Sequence, residues 1–213
     1  MRRHLYSLLL VSSVLFLSGC GAGKDKAEEE QTYKDRGQKD GKLEKTAEIT
    51  GEAKPENPEG SMDTWNDKGI ALSKEKKYPE AIECFDRAIA LNANDPFAWN
   101  NKGVCLGKLL KYPEAIKCLE KALSINSDNL NAWYNLSFYN NKLGQYKEQL
   151  RCLDESLKRK EKDAVVWYDK AIVLNKLGRK SEALLACDKA AEVKPDGTIA
   201  KKALALKAEI SAK

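Results

Sequence analysis

Histidine and the usual signatures of catalysis are nearly missing from this chain. Its single histidine is His4, and we find no glycine-rich phosphate loop, no nucleophile elbow and no paired carboxylates at a defined spacing. These features supply the general bases, phosphate cradles and nucleophiles on which most enzymes depend. The sequence therefore gives no positive indication of an enzyme, and we predict no catalytic residue, no metal and no cofactor.

Hydrophobic runs long enough to span a membrane are missing as well. The most apolar stretch, Leu5–Leu17, follows Arg2 and Arg3. It is shorter than the roughly 20 residues that a spanning helix needs. A basic head before a short apolar stretch predicts a secretion signal instead.

The apolar stretch ends in Leu17-Ser18-Gly19-Cys20, which is a branched apolar residue, two small residues and a cysteine. This tetrad resembles the lipobox of bacterial lipoproteins. The resemblance implies that residues 1–19 are removed as a signal peptide and that the thiol of Cys20 carries a diacylglyceryl group. We therefore expect a lipid-anchored protein of the cell envelope. The alternative is an ordinary signal peptide followed by a chance cysteine.

The residue after Cys20 bears on the membrane. Gly21 is not the aspartate that retains lipoproteins at the inner membrane of enteric bacteria. If the host has two membranes, we expect the periplasmic face of the outer membrane.

Residues 21–61 have almost no apolar side chains, and Tyr33 is their only aromatic residue. A segment of this composition cannot bury enough apolar surface to offset the entropy lost on ordering. We therefore predict that residues 20–61 form a lipidated, disordered and charged tether. The charges of residues 62–213 are mildly basic but interspersed, which argues against a nucleic-acid partner.

The tryptophans carry the main pattern, because each lies 34 residues after the last. A fixed period of this length is typical of a helical unit that is copied and stacked, each copy covering a face that it cannot bury alone. Small residues recur four residues after each tryptophan, and apolar residues recur 20 residues after it. The three sets are Trp65, Trp99, Trp133, Trp167; Gly69, Gly103, Ser137, Ala171; and Phe85, Leu119, Leu153, Cys187.

This pattern resembles the tetratricopeptide repeat, a helix–turn–helix unit of 34 residues. The resemblance implies an all-α fold, a right-handed α-solenoid of four units, and a surface that binds other proteins. One more amphipathic helix over residues 198–211 would cap the exposed end of the fourth unit. The predicted units are residues 62–95, 96–129, 130–163 and 164–197, followed by the capping helix and tail at 198–213.

The third unit departs from the pattern. Gln149 stands where the other units have alanine, and Ser137 replaces one of its small partners. A buried amide without a hydrogen-bond partner costs about 1–3 kcal/mol. We therefore predict that unit three is the least stable part of the array. The alternative is a helix pair that is spread for binding.

Five cysteines follow Cys20, and three of them recur with the 34-residue period: Cys84, Cys118 and Cys152, then Cys105 and Cys187 outside that series. Equivalent helices of stacked units lie roughly 8–10 Å apart, whereas a disulfide needs Cα atoms within about 7 Å. Zinc ligands cluster at shorter spacings than these. We therefore interpret the five thiols as small apolar residues packed between repeats, and their redox state stays open.

A lysine lies nine residues after each tryptophan, near the end of each predicted first helix. There a cation complements the helix dipole. The alternative is a basic rail for an acidic partner. The four residues are Lys74, Lys108, Lys142 and Lys176.

In this family the first helices line a concave groove, at positions that are fixed relative to the tryptophan. Amide and phenol groups in such a groove can bond a peptide backbone, and an apolar stripe can take its side chains. Some of these residues also pack between repeats. The predicted groove residues are Asn66, Ile70, Asn100, Val104, Tyr134, Phe138, Asn141, Tyr168, Ile172 and Asn175.

The resemblance also argues against one ligand. Chaperone-binding tetratricopeptide domains hold a C-terminal carboxylate with Lys and Arg at the sites that Asn66, Ile70, Tyr134 and Phe138 occupy here. Because these four residues are neutral, we predict that the chain does not hold an acidic C-terminal tail in that manner.

Together these features predict a membrane-anchored scaffold whose groove binds a peptide segment or a helix of another envelope protein. One alternative is a structural subunit whose array self-associates. The other is an enzyme that uses a thiol or a metal, for which no motif argues.

Overall fold

The computed structural model describes residues 60–212, and within them nine α-helices follow one another without a strand. This confirms the predicted fold class, an α-solenoid of four helix pairs with a final helix. No helix in this part of the chain is long and apolar enough to cross a membrane. The helices are α1 (Met62–Lys74), α2 (Tyr78–Leu91), α3 (Pro96–Lys108), α4 (Tyr112–Ile125), α5 (Leu130–Lys142), α6 (Tyr146–Arg159), α7 (Ala164–Lys176), α8 (Lys180–Val193) and α9 (Thr198–Ser211). The predicted signal peptide, Cys20 and the tether lie outside the described residues.

Polar caps determine where the first helix of a repeat begins. The side chains of Asp95, Asn129 and Asp163 each accept hydrogen bonds from backbone N–H groups in the first turn of α3, α5 and α7. These caps satisfy donors that have no partner within the helix. The second helices α2 and α4 begin with a proline in the first turn, where the missing N–H costs nothing.

The tryptophans tie each first helix to the loop before it. The indole N–H of Trp99, Trp133 and Trp167 donates to the carbonyl oxygen six residues earlier, at 2.9, 2.7 and 2.8 Å. Each indole thus holds the turn that joins two repeats and covers apolar surface beside it. This double role explains why the tryptophan recurs at a fixed position.

Small residues close three of the four helix pairs. A Cβ atom added to Gly69 would lie 2.7 Å from the ring of Phe85, so only glycine fits there. Ala81, Ala115 and Ala183 are fully buried on the facing helices. Close approach of this kind excludes voids and gives dense packing.

Repeat three is closed differently, as the sequence indicated. Gln149 is only 3% exposed, and Ser137 is fully buried. The side-chain oxygen atoms of both residues are buried and have no hydrogen-bond partner. The cost predicted for this helix pair is therefore present in the structure.

Ion pairs connect neighbouring units of the array. Asp86 pairs with Lys102, Asp154 with Lys170 and, between repeat four and α9, Asp188 with Lys207, at 2.5–2.6 Å. Between repeats two and three the corresponding position holds Leu136, which is 1% exposed and belongs to an apolar cluster with Leu119 and Trp133. Helix α9 packs against α7 and α8 and buries Ala200, Ala203 and Ile210.

Candidate peptide-binding groove

The predicted groove residues lie on the first helices of the four repeats. Nine of the ten are half-buried: Asn66, Ile70, Asn100, Val104, Phe138, Asn141, Tyr168, Ile172 and Asn175. Half-burial leaves part of each side chain accessible while its base is held by neighbours. These nine residues stay predicted binding residues.

Tyr134 is placed differently from the other nine. It is 6% exposed, and its hydroxyl lies 3.3 Å from the Asp169 carboxylate of the next repeat. Asp169 is also buried. The phenol therefore links α5 to α7, which is a structural task rather than an accessible donor for a ligand.

The amides of the polar row also connect repeats. The Asn66 amide donates to Asp95 at 2.6 Å, and the Asn135 amide donates to Asn100 at 3.4 Å. An amide oxygen can accept more than one hydrogen bond. Asn66 Oδ1 is buried and has no hydrogen-bond partner. Side chains that are fixed in this way lose little entropy when they bind.

The apolar stripe is Ile70, Val104, Phe138 and Ile172, one residue from each repeat. Phe138 is held edge-on by Tyr139, with ring centres 5.5 Å apart. The Lys142 ammonium lies 4.9 Å from the centre of the Phe138 ring. The aromatic surface in the third repeat is thus oriented by its neighbours before any ligand arrives.

Tyr139 depends on a glycine in the preceding repeat. A Cβ atom on Gly107 would overlap the Tyr139 ring, which stacks on Tyr112 with centres 5.7 Å apart. Its hydroxyl lies 3.5 Å from the Val104 carbonyl oxygen. Burial raises the pKa of Tyr139 well above its ordinary value, so the phenol stays protonated.

Two of the four periodic lysines reach side chains near the groove. Lys142 contacts Phe138, as above, and Lys176 donates to the Asn141 amide oxygen at 3.3 Å. Lys176 also lies 5.0 Å from the centre of the Tyr146 ring. These contacts add to the helix-dipole role that the sequence predicted.

Sequence reasoning gave too little weight to two positions. Phe97 lies at the start of α3, two residues before Trp99, and its side chain is 56% exposed. The position two residues after each tryptophan holds only Asp or Asn: Asp67, Asn101, Asn135 and Asp169. That polar periodicity was the available signal for the inter-repeat bonds of Asn135 and Asp169.

The titratable side chains of residues 60–212 form neither a metal site nor a reactive thiol. Within residues 60–212 no three His, Cys, Asp or Glu side chains are grouped so that they could hold a metal ion. Cys84, Cys105, Cys118, Cys152 and Cys187 are buried and free. Burial raises the pKa of Cys152 to about 12 and raises the pKa of Cys105, Cys118 and Cys187. Thiols in this state are poor nucleophiles.

A cleft lies outside the predicted groove, between α6 and α7. Leu150, Leu157 and Trp167 form its apolar part, and the Lys170–Asp154 pair borders it. Lys170 occupies the position that Leu136 fills at the preceding junction. The cleft therefore lies at an ionic junction.

Models of the tetratricopeptide repeat match residues 63–95 and 96–129, and a second model of the same repeat matches residues 130–163 and 164–196. Together these matches span most of the chain. No curated protein matches the sequence.

Solved structures of similar fold include residues 41 to the end of MamA from Desulfovibrio magneticus RS-1. It has a TM-score of 0.61 and 18% identity, over 71% of this chain and 93% of that one. YrrB, described as a TPR protein with an unusual peptide-binding site, has a TM-score of 0.58 and 22% identity over 70% and 86%. The first TPR domain of Spaghetti (RPAP3), bound to the HSP90 peptide SRMEEVD, has a TM-score of 0.53 and 18% identity over 55% and 96%. At these identities the likeness extends to the fold.

Proposed function

The chain belongs to the tetratricopeptide repeat family, and on this premise we propose that it is a membrane-anchored protein–protein interaction scaffold. Its groove holds a peptide segment or a helix of another cell-envelope protein. The observation that supports this best is the row of half-buried, mostly neutral side chains on the first helices, with Phe97 exposed beside them. The proposed membrane anchor rests on the resemblance of Leu17-Ser18-Gly19-Cys20 to a lipobox.

The chemistry of the groove suggests the kind of peptide. Ile70, Val104, Phe138 and Ile172 offer apolar contacts, while Asn100, Asn141 and Asn175 offer donors and acceptors for a backbone. Such a surface suits a peptide with spaced apolar side chains. The similar domain of Spaghetti binds the acidic peptide SRMEEVD, but here the predicted carboxylate-binding sites are neutral, so we propose a ligand that is not an acidic C-terminal tail.

Affinity capture from the envelope of the source cells tests the groove. The wild type is compared with Phe97→Ala/Phe138→Ala, and the matched control is Leu185→Ala/Leu204→Ala, which removes two exposed leucines from α8 and α9. Circular dichroism confirms that each variant is folded. We expect the groove variant to lose its partner and the control to keep it. Equal capture by all three proteins would contradict the groove as the binding surface.

The anchor is tested separately. We expect Cys20→Ser to leave the membrane fraction and to lack the mass of an acylated N-terminus. A chain that keeps its membrane association after this substitution, without added mass in the wild type, would contradict the anchor.

Self-association is the second candidate, and one observation favours it. Leu185 and Leu204 are 66% and 52% exposed on α8 and α9, at the end of the array. A contact between two copies of the chain at this end would cover these apolar side chains. Sedimentation of the wild type and of Leu185→Ala/Leu204→Ala measures this, and a wild type that remains monomeric at all concentrations would rule it out.

A further inference from the structure

The two edges of the solenoid carry different charge. Because the helices of each pair are antiparallel, the turns within repeats lie at one edge and the turns between repeats at the other. The first edge, which we call the basic edge, has ten Lys and Arg and five Glu. The opposite edge has four Lys and Arg and five Asp and Glu. The basic edge is residues 74–80, 108–114, 142–148 and 176–182, and the opposite edge is residues 91–97, 125–131, 159–165 and 193–199.

The basic side chains of this edge are accessible. All ten are exposed: Lys74, Lys76, Lys77, Lys108, Lys111, Lys142, Lys147, Lys176, Arg179 and Lys180. The glutamates lie among them, and three pair with a basic neighbour, as Glu75 does with Lys77. The net charge of the edge is therefore strongly positive and faces solvent.

An exposed leucine lies at the centre of the basic edge. Leu110 is 71% exposed and has a φ of 61°, which is a left-handed conformation. All four repeats share this backbone conformation: the same position holds Lys76 in repeat one, with φ of 64°, and Gly144 and Gly178 in repeats three and four, with φ of 71° and 74°. Glycine adopts this conformation without strain, whereas leucine does not. Leu143 is 39% exposed beside it in the next repeat.

We propose that the basic edge rests on an anionic lipid surface, with Leu110 inserted among the acyl chains. Lysines and arginines that lie near an anionic bilayer each strengthen binding about fivefold. A leucine that leaves water for the lipid interior adds about tenfold or more. The exposure of Leu110 then has a reason, because this side chain is buried only when the edge is docked.

This orientation rests on the proposed lipid anchor, which would hold the array near the bilayer. A tethered domain binds a nearby surface at high effective concentration, which adds to the affinity that the basic edge has for the lipid by itself. With the basic edge on the membrane, the groove would run parallel to the bilayer and stay open to a partner in the same membrane.

Vesicle sedimentation tests the proposal without the anchor. Residues 20–213 carrying Cys20→Ser are mixed with phosphatidylcholine vesicles or with vesicles that also contain phosphatidylglycerol. We expect binding only to the anionic vesicles, and weaker binding at raised salt. The substitution set Lys76→Glu/Lys111→Glu/Lys147→Glu should reduce that binding on the order of a hundredfold.

Matched controls separate the edge from general charge. Lys160→Glu/Lys162→Glu/Lys194→Glu makes the same charge change on exposed lysines of the opposite edge and should reduce binding much less. Leu110→Ser should weaken binding about tenfold, while Leu185→Ser should not. Circular dichroism shows that each variant is folded.

Two outcomes would overturn the proposal. The first is the absence of binding to anionic vesicles, which would indicate that the basic edge binds an acidic protein instead. The second is an equal loss of vesicle binding in the triple lysine variants of the basic edge and of the opposite edge. Neither outcome affects the capture experiment with Phe97→Ala/Phe138→Ala, because none of these edge residues is substituted there. Conversely, a failed capture experiment leaves vesicle binding by the basic edge unchanged.

Discussion

Repeats two and three have the same length and the same helix boundaries, yet their helix pairs are closed in different ways. In repeat two a Cβ atom on Gly103 would already lie 3.1 Å from the carbonyl oxygen of Ala115. In repeat three Ser137 and Gln149 take these positions, and both side-chain oxygens are buried without partners. The fold of one repeat thus tolerates a polar interior when its neighbours supply stability.

The two repeats also differ in how each is joined to the repeat that follows it. Repeat two is joined to repeat three through buried Leu136 within a large apolar cluster. Repeat three is joined to repeat four through the Lys170–Asp154 pair beside an open cleft. Helix α5 therefore packs against both its own partner α6 and repeat two, and the least extensive contact between neighbouring helices is the one between α6 and α7.

Exchanging the residues that close the helix pairs gives the largest expected effect. Ala115→Gln should lower the free energy of unfolding by about 3–5 kcal/mol, because it overpacks a closed contact and buries an amide. Gln149→Ala should change it by no more than about 1 kcal/mol, since lost packing is offset by removal of an unpaired amide. Urea unfolding measures both, and equal losses would contradict the comparison.

The junctions provide the next contrast. Leu136→Ala should cost about 3 kcal/mol, as other fully buried leucines do. Lys170→Ala should cost less than about 1 kcal/mol, because an ion pair that stays in contact with solvent contributes little. If chemical denaturation gave similar values for both variants, the apolar junction would not be the stronger one.

Alkaline pH should distinguish the periodic thiols of the two repeats. Burial raises the pKa of Cys152 to about 12 from 9.0, and it raises the pKa of Cys118 by less. A raised pKa stabilises the fold below the ordinary pKa, and that contribution is lost as the pH rises from 9.0 towards 12. We expect stability to fall over this range by up to about 1.4 kcal/mol per pH unit for Cys152.

The variants Cys152→Ala and Cys118→Ala provide the measurement. Urea midpoints between pH 8 and pH 11 should fall less steeply for Cys152→Ala than for the wild type, with a smaller change for Cys118→Ala (roughly the range over which thiols ionise). An unchanged slope in Cys152→Ala would show that this thiol does not contribute.

Substitutions in the turns within repeats should change the stability least. Leu110→Gly should stabilise repeat two by about 0.5–1 kcal/mol, because it relieves a left-handed leucine. Gly144→Leu should destabilise repeat three by about 1 kcal/mol for the same reason. Thermal unfolding followed by circular dichroism compares them, and shifts of the same sign would refute the strain at Leu110.

The helices could be predicted from the sequence because the tryptophan bonds the loop before its helix and also covers apolar surface beside it. Both contacts depend on a fixed spacing. The sequence also predicted the buried amide of Gln149, since a substitution at a periodic position is visible in one sequence. It could not place Tyr134, because burial of this phenol depends on Asp169 in the next repeat. It indicated the basic edge only in part, through the periodic lysines Lys74, Lys108, Lys142 and Lys176, because the other basic residues join them only when antiparallel helices bring distant turns together.

Site-specific photocrosslinking in the source cells measures whether the groove is the surface that contacts a partner. A photoreactive phenylalanine analogue replaces Phe97 beside the groove or, as control, Leu185 on α8. We expect a defined adduct with another envelope protein from position 97 and none with that protein from position 185. The same adduct from both positions, or from position 185 alone, would contradict that expectation.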